Sequence, residues 1–485
     1  MIGGFESYDE LYTYLTALGL GMSMLFSFNS FISAPDYVQN YYQYASNDEF
    51  AVAKYPDFWQ NAESYISVSN MIPNLIFQGF VFTPVIRRIP MQRKILVAMT
   101  LVIFAMLLIP VMPAFSVSEV VAAATLMFAS ALAGAATAFF QSTAFGLVAC
   151  CPAKHMGGIL FGIGVSGTTT SLLQIITKAA MGSGYNDSQT QSRVYFGVAI
   201  GFMIVSFISV IRLKKNRYAQ RYIVEYRDET YVDDGFGVGS GNAAGVAAAT
   251  APAVTAENNA GEDYLNPGSA ESLASANRFT ASVVEDGETS ALIKGGGTDH
   301  RQAEEHGGAT EYEAQESVSI LPVVKQIWPM MFSCSLTFFI TLTVFPGVGV
   351  AINNSSAWFG VIIIFLFNFG DTIGRFGSNI PRIWIPRKYV PFAATCRLVV
   401  IPLFFFCITP HWIPGNVFPM ILMFVTGVSN GFIGSMALVY GPQTEALRSD
   451  GERALAGNAM SMSLLTGCSA GSLLALLITS KLPST

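Results

Sequence analysis

Long apolar runs restrict the fold of this chain more than any other feature of its sequence. A helix that crosses a bilayer needs roughly 20 predominantly apolar residues, and eleven runs of about that length are present. They cover residues 14–34, 65–86, 95–114, 120–149, 156–180, 194–211, 326–350, 358–377, 390–409, 417–440 and 457–480. We therefore predict an all-α polytopic membrane protein with eleven transmembrane helices.

Composition agrees with this fold class and excludes several others. Only 12% of the 485 residues are charged, about half the share of roughly 25% in soluble proteins, which argues against a nucleic-acid-binding protein and most cytosolic enzymes. The six cysteines form no CxxC pair and have no histidine at metal-ligand spacing. No Walker loop or HExxH motif is present, so we expect no catalytic site, metal or cofactor.

Basic residues predict how the chain crosses the membrane, because cytoplasmic loops carry an excess of Lys and Arg. Alternate connections between the apolar runs hold 20 of the 26 basic residues. This places the N-terminus and the long loop after the sixth run in the cytoplasm, and the C-terminus outside. The sequons at Asn186, Asn353 and Asn354 then lie in outer loops and are candidates for glycosylation.

A polar stretch divides the chain into two hydrophobic parts. Of the 32 acidic residues, 17 lie between Asp228 and Glu316, in a segment rich in Gly, Ala and Ser. Such a segment buries too little apolar surface to offset the entropy lost on ordering. We predict a six-helix bundle at residues 1–211, a largely disordered cytoplasmic linker at 212–325 and a five-helix bundle at 326–485.

A single acidic residue lies in the middle of an apolar run, where a charge is expensive and marks function by default. Asp371 is in the eighth run, with Arg375 four residues later and Asn368 three residues earlier, so all three share one helix face. The two charges either neutralise each other or bind a polar solute. We favour binding, because two apolar residues would stabilise the helix at less cost than a desolvated ion pair.

Two more polar side chains inside the runs leave alternatives open. Arg397, in the ninth run, either braces a site near Asp371 or extends to the membrane surface. Gln141, in the fourth run, either hydrogen-bonds to another helix or offers its amide to a planar heterocycle. Without a nucleotide-binding domain, any transport would be facilitated or ion-coupled.

Several landmarks in sequence order resemble the equilibrative nucleoside transporters, most closely their protozoan (kinetoplastid) branch. The eighth run carries the signature Phe-Asn-x-x-Asp-x-x-Gly-Arg intact. The others are Phe345-Pro-Gly-Val348, Ser429-Asn-Gly431, Tyr440-Gly-Pro442, and Gln141 ahead of Phe145-Gly146. The resemblance implies two bundles of six and five helices, similar to the major facilitator fold, with substrate near the midplane between them.

The resemblance also implies a set of site residues. By their positions in the family's motifs, the residues implied to contact substrate are Gln141, Asp371 and Arg375, with Asn368 in support. In the first run, Ser27-Phe28-Asn29 stands where many animal members have Pro-Trp-Asn. Phe28 is then the candidate for stacking on a purine. Asn29 and Arg397 are supporting candidates.

The leading hypothesis is a plasma-membrane carrier of purine nucleosides that works by alternating access. Proton coupling, which is frequent in the protozoan branch, stays open, as does facilitated diffusion. The alternatives are a carrier of the same family that prefers purine nucleobases, a purine-sensing receptor, and a major facilitator carrier of sugars or drugs. The expected partners are the purine, the lipid bilayer and, if coupled, protons, but no nucleic acid.

Overall fold

Helices account for nearly all regular structure in the computed structural model, which describes residues 5–32, 35–60, 62–180, 184–227, 319–350, 352, 358–408, 413 and 415–479. The long helices coincide with the predicted runs and lie in one compact unit. They are α1 (Tyr8–Ile32), α2 (Ala62–Phe80), α3 (Met91–Val111), α4 (Glu119–Ala149), α5 (Ala153–Ala180), α6 (Tyr185–Leu213), α7 (Ile320–Val344), α8 (Phe359–Gly377), α9 (Val390–Cys396 and Val400–Ile408), α10 (Val417–Tyr440) and α11 (Asp450–Thr479).

Ten helices in the described ranges are long and apolar enough to cross a membrane. Helix α2 is not among them, although it lies at the second predicted run. Asn70, Asn74 and Gln78 recur every four residues along it, and all three are buried in the protein. The polar face lowers the mean hydropathy of α2, so its crossing of the membrane stays a prediction.

Helix α9 differs from the continuous helix that we predicted at 390–409. A 3₁₀ turn at Arg397–Val399 separates its two segments. Pro402 lies in the first turn of the second segment, and a proline has no N–H to donate to the carbonyl four residues earlier, with which its ring also clashes. That carbonyl belongs to Leu398, so the proline explains the break.

The long helices pack into two groups, α1–α6 and α7–α11, and the predicted domain bounds at 1–211 and 326–485 stay a prediction. In the first group, α1 packs on α5 and α6, and both α2 and α3 pack on α4. In the second, α7 packs on α10 and α11, and α8 packs on α10. The contacts between the groups are made mainly by α5 with α8 and by α4 with α11.

Among the described residues, one buried cluster is shared by the two groups, at one end of the helices. The cluster includes Leu147 of α4, Met156 of α5 and Leu455 of α11, and so crosses between the groups where α4 meets α5. At the other end each group has a cluster of its own. A mainly apolar cleft of about 330 Å³ lies there, between α2 on one side and α7 and α11 on the other.

Two regions differ from the predicted loops. The connection after α1 contains short helices at Pro35–Gln39, Tyr41–Ser46 and Pro56–Gln60. The described start of the predicted linker is folded: Asn216 caps a helix at Arg217–Tyr222, and Glu225 accepts hydrogen bonds from the first backbone N–H groups of α3. Most of the predicted linker, from 228 to 318, lies outside the described residues.

Candidate functional site

Asp371 and Arg375 of α8 form an ion pair. Arg375 Nε donates to Asp371 Oδ2 over 2.6 Å, across one helical turn. Asp371 is 7% exposed and Arg375 is 3% exposed, so both charges lie inside the protein. A buried pair of this kind depends on further hydrogen bonds to offset its desolvation.

The second carboxylate oxygen is bound by a residue that the sequence analysis did not assign. Asn430 Nδ2, on α10, donates to Asp371 Oδ1 over 2.7 Å. The helices approach closely here because glycines face the α8 backbone, among them Gly427 and Gly431. The landmark Ser429-Asn-Gly431 contains this asparagine, but helical spacing within one helix cannot indicate a partner on another.

Arg397 lies inside the protein and braces the helices around the pair. Its guanidinium donates to the Thr337 carbonyl over 2.7 Å, to Thr341 Oγ1 over 2.8 Å and to Ser429 Oγ over 3.1 Å. With 4% of its surface exposed, Arg397 does not extend to the membrane surface. The brace is the alternative that agrees with this position.

A chain of hydrogen bonds joins this brace to the charge pair. Thr341 Oγ1, on α7, lies 2.8 Å from Asn430 Oδ1 and donates to it. The chain therefore runs from Arg397 through Thr341 and Asn430 to Asp371, with one residue each from α9, α7, α10 and α8. We call these four residues the relay.

Asn368 points away from the pair, towards α5. Its amide nitrogen donates to Ser171 Oγ over 2.6 Å. One turn further along, Thr372 Oγ1 lies 2.7 Å from Thr168 Oγ1. Asn368 therefore contributes to the contact between the two helix groups, and in this conformation it is not bonded to Asp371.

The candidates from α1 and α4 are not brought into hydrogen-bond contact with the pair. Gln141 is buried in α4, and no described residue hydrogen-bonds to its amide. Phe28 and Asn29 are half-buried in α1, and Asn29 Nδ2 finds no partner among the described residues. Both amides lack a hydrogen-bond partner in the described part of the chain, and their role as substrate contacts stays a prediction.

One donor of the pair is also available. Arg375 Nη1 is buried and finds no hydrogen-bond partner in the described part of the chain. The guanidinium carbon lies 5.9 Å from the centre of the Phe338 ring. Leaving a charged donor unpaired inside a protein costs about 1–3 kcal/mol or more. A polar solute with an acceptor atom would satisfy it.

The predicted glycosylation sites and metal ligands complete the set of candidate residues. Asn186 is exposed, but in the first turn of α6 rather than in a loop, because this helix continues beyond its apolar part through inward-facing Ser188 and Ser192. Asn353 and Asn354 lie outside the described residues. In the part of the chain that the structure describes, no group of three His, Cys, Asp or Glu side chains could hold a metal.

Comparison with known proteins identifies the family. The model of the nucleoside transporter family matches residues 127–480. The chain belongs to this family. Nucleoside transporter 1.2 of Leishmania donovani is 32% identical over 97% of this chain and 94% of its own length. Adenosine transporter 1 of Crithidia fasciculata is 30% identical, over 96% and 93%.

Membership of the nucleoside transporter family confirms the resemblance and makes the chain a multi-pass membrane transporter rather than an enzyme. Human equilibrative nucleoside transporter 4 is 25% identical over 69% of this chain and 60% of its own length. Among solved structures, the proton:xylose symporter XylE, of the major facilitator superfamily, superposes with a TM-score of 0.55 at 9% identity, over 97% of this chain and 89% of that one. The predicted major-facilitator-like fold is therefore confirmed.

Proposed function

We propose that this transporter carries purine nucleosides across the plasma membrane by alternating access, and that Asp371 and Arg375 bind the substrate. The observation that carries the proposal is the unpartnered Nη1 of Arg375, buried beside an acidic side chain. A site with a free cationic donor next to a carboxylate suits a solute that has both hydrogen-bond donors and acceptors. Nucleosides have both, on the base and on the ribose.

The names of relatives support a purine substrate. One relative that matches nearly the whole chain is an adenosine transporter, and others are nucleoside transporters. Adenosine is a purine nucleoside. A carrier that prefers free nucleobases would not need contacts to the ribose. Competition between nucleosides and nucleobases for uptake distinguishes the two carriers.

The arrangement of the two helix groups supports alternating access. The groups are in contact where α4 meets α5, and a cleft separates α2 from α7 and α11 at the other end. The count of basic residues assigns the closed end to the cytoplasm. The conformation then corresponds to a carrier that is closed inwards and ready to receive substrate from outside.

The direct test is uptake of radiolabelled adenosine and inosine by cells that lack purine uptake of their own. We expect saturable uptake that the other nucleoside inhibits and that an excess of hypoxanthine inhibits weakly. Strong inhibition by hypoxanthine, with poor nucleoside uptake, would favour the nucleobase carrier. Counterflow in proteoliposomes excludes a receptor, which cannot exchange substrate, and an imposed pH gradient tests for proton coupling.

A further inference from the structure

We infer that Asn430 and Thr341 are positioning residues, which fix the orientation of the Asp371 carboxylate for substrate recognition. The inference rests on the proposed function of Asp371 and Arg375. Hydrogen bonds that begin at α9 and α7 set the geometry of this pair, and α8 alone does not.

The direction of the relay follows from the chemistry of each member. A guanidinium only donates, so Thr341 Oγ1 must accept from Arg397 Nη2. The single hydroxyl hydrogen of Thr341 is then free for Asn430 Oδ1, at 2.8 Å. The other acceptor within reach, the Thr337 carbonyl at 3.0 Å, lies farther from the hydroxyl than Asn430 Oδ1 and also accepts from Arg397 Nη1.

This direction agrees with the end of the Asn430 amide that faces the acid. A carboxamide can turn by 180° and present either a donor or an acceptor. Because Thr341 donates to Oδ1, the NH₂ group of Asn430 is directed to Asp371 Oδ1. The Asp371 carboxylate only accepts and selects the same end of the amide, so the Thr341 hydroxyl supplies the second contact that fixes the plane of the Asn430 side chain.

These hydrogen bonds fix the plane of the Asp371 carboxylate. Oδ1 is held by α10 and Oδ2 by Arg375, so rotation about the Cβ–Cγ bond would break both bonds. The lone pairs that remain, and the free Nη1 of Arg375, then have defined directions. Recognition of a substrate depends on such preorganised groups held by a packed second layer.

Burial makes the relay suited to this role. Thr341 is 1% exposed and Asn430 is 2% exposed, so water does not compete for their bonds. Neither side chain carries a charge. Each can therefore be replaced by an uncharged residue of similar shape, which leaves no charge unpaired at that position. Their contribution can therefore be separated from that of the ion pair itself.

The test compares matched threonine variants on α7. Thr341→Val removes the hydroxyl at nearly constant volume, and Thr341→Ser keeps it. Thr343→Val is the control, because Thr343 is equally buried but its hydroxyl only donates to the Phe339 carbonyl of its own helix, over 2.8 Å. Each variant is measured for surface expression, for KM and maximal uptake, and for the ratio of adenosine to inosine uptake.

We expect Thr341→Val to reach the surface, to raise the KM about tenfold and to change the adenosine-to-inosine ratio. Thr341→Ser should stay within about twofold of the wild type, and Thr343→Val should not differ from it. If Thr341 only stabilised the fold, Thr341→Val would lower the amount of protein at the surface and leave the adenosine-to-inosine ratio unchanged. Wild-type KM and an unchanged ratio in Thr341→Val would overturn the inference.

Asn430→Leu provides a second, nearly isosteric and uncharged test. It removes the donor that faces Asp371, and should weaken binding by more than the threonine variant. If either variant reaches the surface poorly, nucleoside-induced thermal stabilisation of the purified protein replaces uptake as the readout. Absence of nucleoside uptake by the wild type would reject the proposed function, whereas normal wild-type uptake with unaffected variants would reject only the relay.

Discussion

Gly431 of α10 lies against the carbonyl oxygen of Asp371, so close that a side-chain methyl group would overlap with it. The neighbouring residue, Asn430, reaches the Asp371 carboxylate because of this approach. Small residues allow membrane helices to pack with their backbones in contact. The packing of α8 on α10 is therefore a condition for the geometry of the site.

Gly431→Ala should accordingly disturb both stability and transport. The added methyl group forces α8 and α10 apart, and overpacking of this kind costs typically about 1–3 kcal/mol. We expect a lower melting temperature of the purified protein and loss of most nucleoside uptake. Gly197→Ala on α6 is the control, since nothing lies within 4 Å of the position of its Cβ atom. Equal behaviour of the two variants would contradict the close packing.

The contact between α4 and α11 should open during transport. Ser142 Oγ donates to Asn458 Oδ1 over 3.3 Å, and the position of a Cβ atom at Gly146 lies 2.8 Å from the same oxygen. A disulfide between Ser142→Cys and Asn458→Cys, in a Cys150→Ser background, should stop uptake, and a reductant should restore it. Each single cysteine variant serves as a control. Full uptake by the cross-linked protein would mean that this contact stays closed throughout the cycle.

The stretch between the two helix groups should tolerate shortening. Residues 233–311 are polar and acidic, and the entropy of closing a loop changes only slowly with its length. We expect a deletion within this range to leave nucleoside uptake per surface molecule within about twofold of the wild type. The folded segment up to Tyr226, which is buried, must be kept. Loss of uptake at normal surface expression would identify the stretch as a regulatory element.

The predicted orientation can be tested with epitope tags. A tag next to Asn186, at the exposed start of α6, should be stained on intact cells. A tag within 233–311 should be stained only after permeabilisation. The reverse pattern would overturn the orientation that the count of basic residues predicts, and with it the assignment of the closed end to the cytoplasm.

Much of the helical layout could be predicted from the sequence, because apolar runs mark the lipid-embedded part of each helix. The helix ends were less predictable: α6 and α11 begin at Tyr185 and Asp450, in polar residues beyond their apolar parts. The break in α9 follows from Pro402. This proline is visible in the sequence, but a count of apolar residues does not detect it.

The site could be predicted only where its parts lie on one helix. Helical spacing placed Asp371 and Arg375 on one face of α8, and the two side chains are hydrogen-bonded. It could not reveal that Asn430, 59 residues after Asp371, supplies the other bond. It also could not show that Asn368 bonds to α5, because its partner depends on how the two helix groups pack.

The central claim is that Asp371 and Arg375 bind the substrate rather than only neutralise each other. If they bind it, Asp371→Asn and Arg375→Lys should each reach the surface. A hydrogen bond to a charged group contributes about 1.5–3 kcal/mol, so each loss should weaken nucleoside binding roughly tenfold to a hundredfold. Lysine does not rescue, because an ammonium cannot reproduce the planar donors of a guanidinium.

The most direct measurement is adenosine uptake, normalised by surface biotinylation, for the double variant Asp371→Asn with Arg375→Leu. This variant contains neither charge, so no unpaired charge is left at these two positions. Our account predicts a protein that is present at the surface and does not take up adenosine. Wild-type uptake by this double variant would contradict the account, because the pair would then have no part in binding the substrate.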